Sequence, residues 1–143
     1  MQKISIINGP NLNTLGLREP HIYGHKTLDD INKNLLATFE SQVSLSFFQS
    51  NHEGQIIDFI QNLKADALVI NPGGLSHTSI CLRDALAALN IPIIEVHLSN
   101  IFARETYRHH SFVSEVSKGI ICGLKDKGYE YAIRAIISIL NKE

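Results

Sequence analysis

Residues 67–74 read ALVINPGG. Four apolar residues, Ala67, Leu68, Val69 and Ile70, run without interruption until Asn71-Pro72-Gly73-Gly74 signals a turn. A run this short and continuous fits a strand buried on both faces, as in a parallel sheet. Parallel neighbours need a crossover of a dozen or more residues, usually helical. Helical patterns flank the run on both sides. Downstream, Ser76 is placed to cap a helix whose Leu82, Ala85, Leu86 and Leu89 face a core. Upstream, Asn51 is placed to cap another, with Ile56, Ile57, Ile60 and Leu63 as its apolar stripe.

The same alternation extends outward. Residues 92–96, PIIEV, form a second buried-type run and end at His97-Leu98-Ser99-Asn100. Residues 4–7, ISII, form a third and end at Asn8-Gly9-Pro10. In residues 43–48, Val43, Leu45 and Phe47 alternate with Ser44, Ser46 and Phe48, the pattern of an edge strand. Thr27 caps the intervening helix, with Asp29 and Asp30 in the first turn and Leu28, Ile31, Leu35 and Phe39 on one face. Residues 101–107 suit a short polar helix and residues 119–123 a fifth strand. A last helix carries Ala132, Ile133, Ile136, Ile137 and Leu140 on one side. Five strands, each followed by a helical connection, predict an α/β protein. The expected architecture is a flavodoxin-like three-layer fold, a five-stranded parallel sheet of order 2-1-3-4-5 with helices on both faces.

The chain has 143 residues, one domain's worth, so residues 1–143 are expected to form a single domain. Thirteen basic and 14 acidic residues leave a net charge of −1, which gives no bulk drive toward nucleic acid. No run of about 18 apolar residues predicts a membrane span. The start, MQKISIINGPN, has no long apolar stretch of a secretion signal, so a cytoplasmic location is expected. Cys81 and Cys122 lie among apolar residues and are expected to be buried free thiols.

Ligands of open parallel sheets bind beyond the carboxyl ends of the strands, where strand order reverses. Three predicted strand ends bring Asn8-Gly9-Pro10-Asn11, Asn71 with His77 close behind, and Glu95 with His97, Leu98 and Ser99 to that rim. The long segment of residues 11–25 adds Arg18 and Tyr23, and loops of this length are usually functional. A phenol beside a guanidinium is a candidate general base, because the cation favours the phenolate. Glu95 and His97, two apart in a strand, face the same way, so the carboxylate is placed to orient a general-acid imidazole. His77, expected near a helix N-terminus, would be held neutral by the helix dipole. Arg104 and Arg108, four apart, would clamp a carboxylate together with Arg18. Asp84 points off its helix's core stripe, toward solvent or another subunit. His109 and His110 diverge and make a poor metal pair. The glycine patterns that cradle dinucleotides and ATP are absent, as are the phosphate loop of a flavin binder and the paired acids of a phosphorylation switch. An enzyme and a non-catalytic binding protein of the same fold remain as readings.

Three blocks carry a family resemblance: GPNLNTLGLREPHIYG (residues 9–24), NPGGLSHTSICLRDAL (71–86) and EVHLSNIFARETYRHHS (95–111). In this order and spacing they resemble the type II 3-dehydroquinate dehydratases. The resemblance implies dehydration of 3-dehydroquinate to 3-dehydroshikimate in the shikimate pathway, with no cofactor and no metal. It implies a dodecamer built from trimers. By position, Tyr23 would be the base at C2, Arg18 on a closing lid would stabilise its phenolate, and Asn11 would hold a water at the enolate. His97 would protonate the leaving hydroxyl, with Glu95 orienting it. Asn71, His77 and Arg108 would grip ring hydroxyls. The Leu98 and Ser99 amides, with the Ser99 hydroxyl, would take the carboxylate, which leaves Arg104 for the lid or a subunit contact. Asp84 would reach a neighbouring subunit's site. Gly74-Leu75-Ser76, Thr14 and Phe102 depart from the family's usual residues, and none of them is a proposed catalytic group.

Overall fold

Strand β3, Ala67–Asn71, is buried at every residue and lies at the centre of the sheet. The computed structural model describes residues 1–142. In it β1 (Lys3–Asn8), β2 (Ser44–Gln49), β3, β4 (Ile93–His97) and β5 (Gly119–Cys122) pair in parallel in the order β2-β1-β3-β4-β5. The predicted α/β architecture and strand order are therefore observed. The alternating strand, β2, is at one edge as expected, and β5 forms the other.

Successive strand residues feed opposite layers. Ile4, Ile6, Val69, Ile94 and Val96 pack against α2 (Leu28–Phe39) and α5 (Lys127–Leu140). Ile7, Leu68, Ile70 and Ile93 pack against α3 (Glu53–Gln61) and α4 (Ile80–Ala87). Helices thus cover both faces, which is why the central strands read as unbroken apolar runs. Helix α2 begins with the predicted Thr27 cap, completed by Asp30 into a reciprocal capping box.

Four local expectations are corrected. Ser76 does not cap α4. It lies inside a 3₁₀ turn, Gly73–His77, and donates to the Gly73 carbonyl, while Ser79 accepts from Leu82 N–H three residues later. Asn51 does not cap α3, whose N-cap is His52. Residues 101–107 form no continuous helix but two 3₁₀ turns, Ile101–Ala103 and Thr106–Arg108, separated by extended backbone at Arg104 and Glu105. Cys81 is exposed and Cys122 half-buried, because Cys81 falls on the outer side of α4 from Leu82 and Leu86.

The β1 and β3 ends are drawn tightly together. Asn8 and Asn71 are register partners. Just beyond them Gly9 N–H donates to the Asn71 carbonyl at 2.8 Å. A Cβ at Gly9 would meet the Pro72 carbonyl oxygen at 2.4 Å, a contact no side chain can make. The following loop carries a 3₁₀ turn, Leu12–Thr14, and one helical turn, α1 (Pro20–Tyr23). Leu12 and Leu15 are buried and tie the loop to the α2–α5 layer.

Candidate active site

Where the strand order reverses, a cavity of about 190 Å³ opens over the carboxyl ends of β1, β3 and β4. That is about six water molecules' share of liquid volume, so it suits one small ring. Among the described residues its wall holds Arg18, Arg104 and Arg108 and no carboxylate, which makes it a receptor for an anion. Of the residues singled out from the sequence, it brings together Asn11, Arg18, Tyr23, Asn71, His77, His97, Leu98, Ser99, Arg104 and Arg108. Glu95 lies behind His97. Asp84 is not in this wall; it stands exposed on α4 and pairs with Arg83 at 3.1 Å.

Tyr23 meets two cations. Arg104 Nη1 donates to Tyr23 Oη at 2.9 Å and to Ser99 Oγ at 3.2 Å. The Arg18 guanidinium carbon sits 4.8 Å from the centre of the tyrosine ring. The sequence pointed to Arg18 as the phenol's partner, and the structure places Arg18 over the ring and Arg104 at the oxygen. Arg104 and Arg108 do not share a helix, since extended backbone at Arg104 and Glu105 separates two 3₁₀ turns, yet with Arg18 they line one wall, as the expected cationic cluster required. Arg108 pairs with Glu105 at 2.6 Å.

His97 and Glu95 form the predicted pair. Glu95 is fully buried, and its Oε2 accepts from His97 Nε2 at 2.5 Å and from Ser111 Oγ at 2.7 Å. Ser114 Oγ donates to the other carboxylate oxygen. Burial works to raise the Glu95 pKa, but these hydrogen bonds outweigh it and hold the group below the usual 4.5. Glu95 therefore stays an anion. With Nε2 occupied, Nδ1 is the His97 nitrogen open to a ligand. Ser111 and Ser114 were not visible from the sequence as part of this unit.

His77 lies beside His97, with ring centres 5.9 Å apart. Its Nδ1 contacts the His110 carbonyl at 2.8 Å, which can only accept, so Nδ1 carries the proton. Burial, more than any other influence, keeps the ring below its ordinary value. Burial, and not a helix dipole, is what disfavours the charged ring: His77 ends a 3₁₀ turn and α4 starts at Ile80. A neutral ring protonated on Nδ1 offers Nε2 as an acceptor.

Asn11 adopts the left-handed backbone region, φ 72°. Asn51, no longer a helix cap, explains how: its Oδ1 accepts from Asn11 N–H at 2.9 Å and from Gln49 Nε2. The edge strand thus supports the loop that carries Asn11. His109 and His110 diverge as expected, one bonding the Arg104 carbonyl and the other packing on Phe112.

The profile of the family described as "Dehydroquinase class II" matches residues 2–137. The chain belongs to this family. As a class II dehydroquinase it is a hydro-lyase. It is 53% identical over 145 aligned positions to the 3-dehydroquinate dehydratase of Actinobacillus pleuropneumoniae serotype 5b, covering 99% of this chain and 94% of that one. It is 52% identical to the 3-dehydroquinate dehydratase of Halothermothrix orenii, covering 99% and 98%. The crystal structure of the type II dehydroquinase of Butyrivibrio crossotus superposes with a TM-score of 0.92 at 44% identity, covering 94% of this chain and 97% of that one. Among the described residues no helix of this class II dehydroquinase is long and apolar enough to cross a membrane.

Proposed function

We propose that the protein is a type II 3-dehydroquinate dehydratase that eliminates water from 3-dehydroquinate to give 3-dehydroshikimate. The single observation that carries the reading is the Arg104–Tyr23 hydrogen bond inside a carboxylate-free cavity that His97 also lines. It supplies a phenol able to act as a base and an imidazole able to act as an acid on one small anionic ring.

The Tyr23 phenolate, with Arg104 at its oxygen and Arg18 over its ring, removes the C2 proton. The C–H electrons pass toward the C3 carbonyl and form an enolate, whose oxygen is met by a water held on Asn11. The enolate then collapses, the C1–C2 double bond forms, and the C1–O bond breaks. His97 gives its proton to the departing hydroxyl, which leaves as water, and the Glu95 carboxylate steadies the imidazole as it changes charge. Asn71, His77 and Arg108 hold ring hydroxyls, His77 as an acceptor through Nε2. The Leu98 and Ser99 amides and the Ser99 hydroxyl take the carboxylate, and Arg104 adds charge there through Ser99. Anti elimination asks for base and acid on opposite faces of the ring.

Residues 1–143 act as one domain in this reading, without a cofactor or metal, in the cytoplasm and in the shikimate pathway. Twelve subunits assemble as trimers, and exposed Asp84 reaches a neighbouring site.

The test is direct. Purified protein is mixed with 3-dehydroquinate, and enone absorbance is followed with chelator present and after borohydride treatment. Turnover through both treatments, lowered about 10²- to 10⁴-fold in Tyr23→Phe with product binding retained, is expected. Absence of turnover by folded protein returns the non-catalytic binder to first place.

A further inference from the structure

Behind the cavity floor, three side chains form one directed hydrogen-bond chain. Gly73 N–H donates to Asn71 Oδ1 at 3.2 Å, Asn71 Nδ2 donates to Tyr129 Oη at 2.9 Å, and Tyr129 Oη donates to Asn8 Oδ1 at 2.5 Å. The direction follows from the first link. A backbone N–H can only donate, so the carbonyl end of Asn71 must face Gly73. Its amide end then faces Tyr129, where the phenol oxygen accepts. The single phenol proton is left for Asn8.

The surroundings make this arrangement costly to abandon. Tyr129 is fully buried on α5 among Ile4, Val69, Ala132 and Ile133. Burial pushes its ionisation far above the ordinary phenol range, so the proton stays on the oxygen. Asn8 and Asn71 are register partners on β1 and β3, each nearly fully buried. Only Asn71 lines the cavity; Asn8 and Tyr129 do not. A Phe would fill the same apolar slot, so packing alone does not call for the hydroxyl. Without it, the Asn71 carboxamide would lose one of the two contacts that tell its ends apart.

We propose that Tyr129, acting with Asn8, is a positioning residue that fixes which edge of the Asn71 carboxamide meets the substrate ring. The inference rests on the role of Asn71 in the dehydratase reading above. It adds a residue from the last helix, outside all three sequence blocks, to the machinery of the site. The amide presented by Asn71 contributes uniform binding, so its loss of orientation falls on KM and not on kcat.

Wild-type turnover of 3-dehydroquinate is measured first, and its absence overturns the dehydratase reading itself. With wild type active, three variants address the chain: Tyr129→Phe, Asn8→Leu and Asn8→Asp. The first removes the hydroxyl, the second removes its acceptor at similar volume, and the third keeps an acceptor. Tyr129→Phe and Asn8→Leu are expected to raise KM, and the dissociation constant of 3-dehydroshikimate by calorimetry, about tenfold, with kcat within about threefold. Asn8→Asp is expected to keep KM within about threefold of wild type. A folded Tyr129→Phe with unchanged KM overturns the proposal, as does an Asn8→Asp no better than Asn8→Leu. Where Tyr129→Phe does not fold, judged by circular dichroism, the two Asn8 variants decide it.

Discussion

Arg104 donates a hydrogen bond to the Tyr23 hydroxyl at 2.9 Å across 81 residues of sequence. The same guanidinium nitrogen reaches Ser99 Oγ, so one side chain links the long loop after β1 to the end of β4. Arg104→Ala is expected to lower kcat about 10²- to 10³-fold, the usual loss when a preorganised charged donor is removed. Arg104→Lys should recover only part of this, since an ammonium lacks the planar fork that serves two oxygens at once. Steady-state kinetics of both variants checks this, and an Arg104→Ala enzyme within about threefold of wild type in kcat would return the phenol to Arg18 alone.

Glu95 depends on donors far from it in sequence. Ser111 and Ser114 offset the burial that would otherwise raise its pKa. The double variant Ser111→Ala, Ser114→Ala should move the acid limb of the kcat/KM profile to higher pH, because burial is then opposed by His97 alone. Chemical denaturation should show a loss of about 1–3 kcal/mol per hydroxyl removed from the buried carboxylate. An unmoved acid limb would mean that Glu95 does not govern the profile.

Acid should destabilise the protein through two groups. His77 is held below 6.5 chiefly by burial, opposed by the His110 carbonyl and Glu95 and assisted by His97 and Arg108. As pH falls from 6.5, the unfolded chain therefore takes up a proton that the folded chain resists, and stability drops until the folded ring also titrates. Glu95 is held below 4.5, so its contribution is complete above 4.5 and is lost as pH falls through its folded value. Thermal melts from pH 7 downward should show a falling Tm in both windows. Glu95→Gln should flatten the lower one. A Tm that rises on acidification from 6.5 would contradict the His77 assignment, and one that does not fall below 4.5 would contradict that of Glu95.

Gly9→Ala should be strongly destabilising, although the site is a loop. The added Cβ meets the Pro72 carbonyl oxygen at 2.4 Å, and backbone, not a mobile side chain, must give way. The shift would part the β1 and β3 ends on which Asn11 and Asn71 ride. A loss of about 1–3 kcal/mol, as in other overpacked sites, is expected in denaturant titration, with a higher KM. Gly54→Ala, on the open side of α3 with no atom within 4 Å, is the control and should be neutral or slightly stabilising.

Much of the fold is legible in the sequence because the signals are local. Unbroken apolar runs at residues 67–70 and 92–96, alternation at 43–48 and helical stripes between them encode burial through the period of the side chains. Caps are less secure, since several polar residues stand near each helix start. Ser76 and Asn51 have the chemistry of caps, yet the 3₁₀ turn after β3 delays α4 to Ser79, and Asn51 faces Asn11 across the sheet edge.

The candidate site divides in the same way. The sequence by itself determined which polar residues stand at strand ends, including the Glu95–His97 pair, because two positions along a strand always share a face. It also determined the family, through three blocks whose residues and spacing need no coordinates. Only the tertiary structure decided that Arg104 meets the Tyr23 oxygen while Arg18 covers its ring. It alone put Ser111 and Ser114 on Glu95, Asn51 under Asn11, and Tyr129 between Asn8 and Asn71. The hydrogen bonds among these contacts join residues 16 to 121 positions apart. No periodicity reports such pairs, since their meeting depends on how helices and loops close over a finished sheet.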